Sequence, residues 1–116
     1  MSKDSPNPTS QVFDKLQRIK YDELQFFKNY FKDVSVLYTM IGCGWCTKCL
    51  PAVEKAVQEA KSNNPVLHVV YNDSPEEITE KEDIKGFPTL RRYKGTEAFL
   101  EYKGPRTTES YLKFLA

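Results

Sequence analysis

Long apolar runs are missing from this 116-residue chain. None approaches the roughly 20 residues that cross a bilayer, and the N-terminal stretch lacks the apolar centre of a secretory signal. The expectation is a protein without a membrane partner, in the reducing cytosol. An excess of one charge is also missing: 17 Lys and Arg stand against 16 Asp and Glu, a net charge of +1. So even a balance offers no field that would gather nucleic acid or an anionic membrane. There is one histidine and no internal repeat or linker. Cysteine is limited to three residues, all between positions 43 and 49, which excludes the dispersed disulfide framework of a small secreted domain. What remains suits one domain with its own core: 13% aromatic residues, with seven Tyr and seven Phe, in a mixed α/β pattern.

Residues 1–11, with their prolines and serines, read as a disordered tail, and the domain is expected over 12–116. An edge strand is expected near Leu16–Lys20. Leu24, Phe27, Tyr30 and Phe31 fall at helical spacing over Tyr21–Lys32, with Asp22 as a possible cap. Val34–Ile41 is β-branched and apolar with little alternation, the pattern of a strand covered on both faces. A strongly helical run follows from Cys43 to about Lys61, kinked by Pro51 and ended by Asn63-Asn64-Pro65. Val66–Tyr71 is a second buried strand, parallel to the first because a helix joins them. An acidic helix over Glu76–Ile84 is expected to turn a charged face to water. A third strand opens at Gly86–Leu90 and reaches Tyr93, with Lys94-Gly95-Thr96 as its hairpin turn and Ala98–Tyr102 as the returning antiparallel edge. Thr107–Ala116 closes the chain as a helix. Arg91 and Arg92, adjacent in a strand, point to opposite faces and are expected to snorkel at the rim, with an acidic partner open to Arg92.

The chemistry is concentrated in Gly42-Cys43-Gly44-Trp45-Cys46-Thr47-Lys48-Cys49-Leu50-Pro51. Two thiols two residues apart close a ring only where the backbone brings their β-carbons to roughly 3.5–4.5 Å. Gly42 and Gly44 free the backbone around Cys43 and Cys46. Cys46 and Cys49, inside a regular helix, would hold β-carbons about 5–6 Å apart, so the working pair is expected to be Cys43 and Cys46. At a helix N-terminus Cys43 meets unpaired N–H groups and the positive end of the dipole, which favour a thiolate. It is therefore the expected nucleophile, with a pKa below the free value of about 8.5. Cys46, one turn deeper, is the expected resolving thiol. Cys49 is read either as a packed core residue or as a third exchanging thiol, the first favoured by the usual burial of free cysteine. His68 reads as a core or flank histidine, with nothing to place it near Cys43.

Cys43-Gly44-Trp45-Cys46 with Pro51 five positions later resembles the active-site helix of the thioredoxin family. Ile84-Lys85-Gly86-Phe87-Pro88-Thr89-Leu90 resembles the loop that holds a cis-proline against the disulfide in that family, and Glu101-Tyr102-Lys103-Gly104-Pro105-Arg106-Thr107 is similar to the end of protein disulfide isomerase catalytic domains. The resemblance covers Leu16–Ala116. It implies a mixed sheet of four to five strands flanked by about four helices, and a cis bond before Pro88. It also implies a shallow groove in which Gly42, Trp45, Phe87, Pro88, Thr89, Gly104 and Pro105 receive an extended substrate by strand addition. No cofactor and no metal are implied. The expected partners are disulfide-bearing proteins and a recycling reductase or oxidase, acting on a monomer.

Three departures accompany the likeness. Gly42 stands where a tryptophan is usual, and Trp45 lies between the cysteines, either replacing part of that aromatic wall or capping the site. Leu37 occupies the place of a buried acid, and Val69 or Val70 stands near the place of its lysine partner. Without that pair, resolution of mixed disulfides is expected to be slow. Neither Gly44 nor Trp45 supplies a cation to Cys43, which argues against a strongly oxidising site. Three classes of function follow: a thiol–disulfide oxidoreductase, a metal or iron–sulfur module on Cys43, Cys46 and Cys49 with His68 as a distant fourth ligand, and a redox-silent adaptor.

Overall fold

The computed structural model describes residues 16–61, 65–95 and 98–116. The expected tail and the first residues of the domain, Asn63-Asn64 and Thr96 of the hairpin turn lie outside the described residues. Eight main elements run in the order β1 (Leu16–Ile19), α1 (Tyr21–Tyr30), β2 (Asp33–Thr39), α2 (Gly44–Glu59), β3 (Val66–Val70), β4 (Thr89–Lys94), β5 (Ala98–Glu101) and α3 (Thr108–Leu115). One five-stranded sheet has the order β1-β3-β2-β4-β5. β3 pairs parallel with β1 and β2, while β4 runs antiparallel to β2 and β5 antiparallel to β4. This is the mixed α/β architecture that the hydrophobic pattern implies.

β2 is central because both its faces are apolar, and alternation sends successive side chains to opposite layers. Val34, Val36 and Tyr38 join Leu24, Leu67, Val69, Ile78, Ile84 and Tyr93 in one layer. Leu37 enters the other, with Cys49, Val53, Val57, Leu90, Tyr111 and Leu115. Full burial of one such aliphatic side chain contributes about 1.5–3 kcal/mol. Helix α2 presents Cys49, Val53, Ala56 and Val57 to this second layer, a stripe at three- and four-residue spacing that the buried Cys46 continues toward the helix tip. It runs through Pro51 as one helix, although the proline ring removes the N–H that the Thr47 carbonyl would accept.

Local chemistry corrects several boundaries. The N-terminus of α1 is not capped by Asp22: Lys20 is the cap residue, and the Glu23 carboxylate accepts its N–H at 2.9 Å. The acidic stretch is not a regular α-helix either. A short 3₁₀ turn at Tyr71–Asp73 leads to one π-helical turn at Glu77–Lys81, where the Glu82 N–H reaches the Glu77 carbonyl at 3.1 Å. The wide turn drops Ile78 and Ile84 into the core and swings Glu82 inward. Its carboxylate accepts from Tyr21 Oη at 2.7 Å and Tyr93 Oη at 3.2 Å. Tyr38 and Tyr93 hydroxyls lie 2.7 Å apart. A polar group removed from water needs a partner, and satisfying these phenols in an apolar layer outweighs regular helical spacing.

Arg91 does not snorkel. It is 5% exposed, donates to the Glu82 carbonyl at 2.9 Å and to the Glu101 carboxylate at 3.0 Å, and sits 3.6 Å from the Glu82 carboxylate. On the opposite face Arg92 finds its acid: the guanidinium forks onto Asp33 at 2.9 and 2.8 Å and also donates to the Phe114 and Ala116 carbonyls. Arg91 thus ties the segment leading to Pro88 onto β4 and β5, and Arg92 ties the end of α3 to the sheet.

Candidate active site at the tip of α2

After β2 the chain turns sharply through Ile41 and Gly42. Gly42 has φ +85°, a left-handed conformation that a side chain would strain. The turn is held by Ile41 N–H donating to Asn72 Oδ1 at 2.8 Å and by Cys43 N–H donating to the Met40 carbonyl at 3.2 Å. Cys43 therefore arrives as the N-cap of α2. Its Sγ accepts the Cys46 N–H at 3.2 Å, the role that a serine or aspartate oxygen usually fills. On its other side the same sulfur donates to the Phe87 carbonyl at 3.6 Å.

The Phe87–Pro88 peptide is cis, as the resemblance implied. Thr89 Oγ1 closes the bend by donating to the Gly86 carbonyl at 2.7 Å, and the Phe87 ring packs on Tyr71 with centroids 5.3 Å apart. Pro88 has no N–H, so this loop turns a carbonyl toward Cys43 next to a residue without a donor.

Cys46 is 2% exposed. Burial, then the hydrogen bond and charge of Cys43 and the neighbouring Cys49, push its thiol up to about 12, against a smaller opposing effect of a backbone hydrogen bond from Met40. Cys49 is buried in the second layer, its thiol raised by burial while a hydrogen bond from the Tyr111 hydroxyl and the charge of Arg106 oppose the rise. All three cysteines are free thiols.

Leu37 lies beneath α2 at 1% exposure, paired with Leu90 on β4 and with His68 on β3. The residue beside it is therefore His68. Val69 pairs with Tyr38 and belongs to the other layer, and Val70 pairs with Thr39. The half-buried His68 Nε2 lies 2.7 Å from Thr39 Oγ1. Burial, and then the Arg18 cation, hold its pKa below the ordinary value, so the imidazole is neutral at pH 7. Among the described residues no group of three His, Cys, Asp or Glu is arranged to hold a metal ion.

Phe87, Pro88 and Thr89 line a cleft of about 480 Å³ together with the acids Asp83 and Glu101 and the cations Lys85, Lys103 and Arg106. Gly104 and Pro105 do not line it. They shape the bend instead: the Tyr102 hydroxyl donates to the Pro105 carbonyl, and a β-carbon on Gly104 would meet the Tyr102 hydroxyl oxygen at 2.9 Å. Gly42 and Trp45 flank Cys43 in sequence, outside this cleft. Trp45 is 59% exposed, with Lys48 Nζ 5.0 Å and the Arg106 guanidinium 5.3 Å from its ring centroid. These two cations were missed in the sequence. Lys48 carried a signal, being three residues after Trp45 on one helix face; Arg106 carried none, since its approach depends on where α3 begins.

A thioredoxin family model matches residues 17–116. Among curated proteins, the protein disulfide-isomerase of Medicago sativa is 35% identical over 78 residues, 63% of this chain and 15% of that protein. The protein disulfide-isomerase of Aspergillus niger is 29% identical over 94 residues, covering 81% of this chain and 18% of the relative. The chain thus spans under a fifth of the length of these relatives. Among solved structures, the J-Trx1 fragment of ERdj5 superposes with a TM-score of 0.79 at 19% identity, over 86% of this chain and 48% of that one. No described helix is long and apolar enough to cross a membrane. With the sheet order, the two cysteines opening α2 and the cis-proline bend facing them, the chain belongs to the thioredoxin family.

Proposed function

We propose that this domain is a thiol–disulfide oxidoreductase acting on protein disulfides. The carrying observation is the placement of Cys43 Sγ at the N-cap of α2, 3.2 Å from the Cys46 amide and 3.6 Å from the Phe87 carbonyl beside cis-Pro88. The amide and the helix N-terminus offer hydrogen bonds and positive potential to a sulfur anion. In the first step the Cys43 thiolate attacks one sulfur of a substrate disulfide, forms a mixed disulfide and releases the other sulfur as a thiolate, which takes up a proton. In the second, Cys46 loses its proton and attacks Cys43 Sγ. The mixed disulfide breaks, the second substrate sulfur leaves as a thiol, and a Cys43–Cys46 disulfide remains. Two electrons pass to the substrate, and a dithiol reductase must return them; run in reverse, with an oxidase, the same steps make a substrate disulfide. The cis-proline bend supports an extended substrate strand across Phe87, Pro88 and Thr89.

Cys46→Ser keeps the attacking thiol and removes the resolving one. The variant is expected to accumulate covalent complexes through Cys43 that dithiothreitol releases, while the unaltered protein reduces insulin disulfides. Absence of both the complexes and insulin reduction would refute the oxidoreductase reading in favour of an adaptor. Stoichiometric zinc or iron in the purified protein, lost on Cys43→Ser, would favour a metal module instead.

A further inference from the structure

We infer that Trp45, Lys48 and Arg106 form a cationic patch that selects substrates with an acidic side chain beside the reacting disulfide. The inference rests on Cys43 being the attacking thiol and adds the chemistry of what that thiol receives. Lys48 Nζ and the Arg106 guanidinium stand 5.0 and 5.3 Å from the centroid of the exposed indole, within the range of cation–π attraction. Neither cation has an acidic partner among the described residues, whereas Lys85 is paired with Asp83 at 3.7 Å and Lys103 with Glu101 at 3.1 Å. Beside the site, the positive charge left without an acidic partner among the described residues is therefore carried by these two side chains.

The indole orders both cations, so less rotamer freedom is lost when they meet a ligand. A guanidinium resting on a ring keeps its N–H edge available for the two oxygens of a carboxylate. Position supplies the rest. Trp45 and Lys48 follow Cys43 closely on α2, and Arg106 also lines the cleft along Phe87, Pro88 and Thr89. A substrate strand in that cleft, with its sulfur at Cys43, passes the guanidinium on its way out. An acidic side chain there gains a partner, and a lysine meets two like charges.

The test uses three cyclic disulfide peptides, identical except for Glu, Gln or Lys flanking the cysteines. Each single-turnover rate with the reduced domain is divided by the rate with dithiothreitol, which removes the intrinsic reactivity of the peptide. Two exposed charge pairs predict that the Glu peptide reacts roughly threefold to tenfold faster than the Lys peptide at low salt. The preference should shrink as the screening length falls from about 30 Å at 0.01 M to about 3 Å at 1 M salt. In the Lys48→Gln/Arg106→Gln double variant the Glu-to-Lys ratio should fall toward one. Equal rates for the charged peptides, or a ratio unchanged in the double variant, overturns the patch and leaves Cys43 as the attacking thiol. No reaction with any peptide removes the thiol reading and this inference with it.

Discussion

Between pH 6 and 10, release of a mixed disulfide held on Cys43 is expected to accelerate about tenfold per pH unit, because the attacking form of Cys46 is its thiolate. The perturbation is pH alone, and the magnitude follows from the burial of Cys46. At 2% exposure, with its thiol pushed up to about 12, about one molecule in 10⁵ carries the thiolate at pH 7, against a few per cent for an ordinary cysteine. The rare thiolate is the stronger nucleophile, with a Brønsted coefficient of about 0.4–0.5. That recovers under half of the loss on a logarithmic scale, leaving resolution at pH 7 about a hundredfold slower than with an exposed thiol. Once Cys43 is in a mixed disulfide its hydrogen bond and charge no longer raise the Cys46 thiol, so a hundredfold is the upper limit, and burial, the largest of the causes, sets the direction. A chromogenic aromatic thiol loaded onto Cys43 reports the step directly, as colour released in stopped flow. A rate already level between pH 7 and 9 would refute the reasoning, since it requires an internal base to take the proton. Leu37 supplies none, and an inflection below pH 6.5 removed by His68→Gln would identify the imidazole as that base.

Two further outcomes test the framework around the site. Arg91→Ala leaves the carboxylates of Glu82 and Glu101 without their buried cation, the side chain of Arg91 being 6% exposed, and should cost about 3–5 kcal/mol in urea unfolding; a loss under about 1 kcal/mol would mean that water compensates the cluster. The Arg92 fork holds the Asp33 carboxyl below its ordinary range, so the stability it contributes is present above about pH 4 and lost as the pH falls through the lower folded-state value. Asp33→Asn should therefore flatten the fall of thermal stability between about pH 4 and pH 2, and an unchanged acid limb would refute the assignment.

What was legible in the sequence is what depends on near neighbours. A β-branched apolar run made β2, three- and four-residue spacing made the inner face of α2, and Gly42 with Cys43 located the strand-to-helix turn. The likeness of the Phe87-Pro88-Thr89 loop to its family anticipated the cis bond. Boundaries failed where a distant partner set them: the acidic stretch became a π-helical turn because Glu82 bonds Tyr21, 61 residues away, and Tyr93 on β4.

By itself the sequence determined the sheet-forming segments, the cysteine pair and the helix tip that bears it, because propensity, spacing and turn chemistry act over a few residues. Only the tertiary structure decided that Arg91 is buried, that His68 rather than Val69 or Val70 lies beside Leu37, and that Arg106 stacks on Trp45. These contacts follow from strand register and from the place where α3 docks. A shift of one residue in either would move the side chains to another face, and no local pattern records that choice.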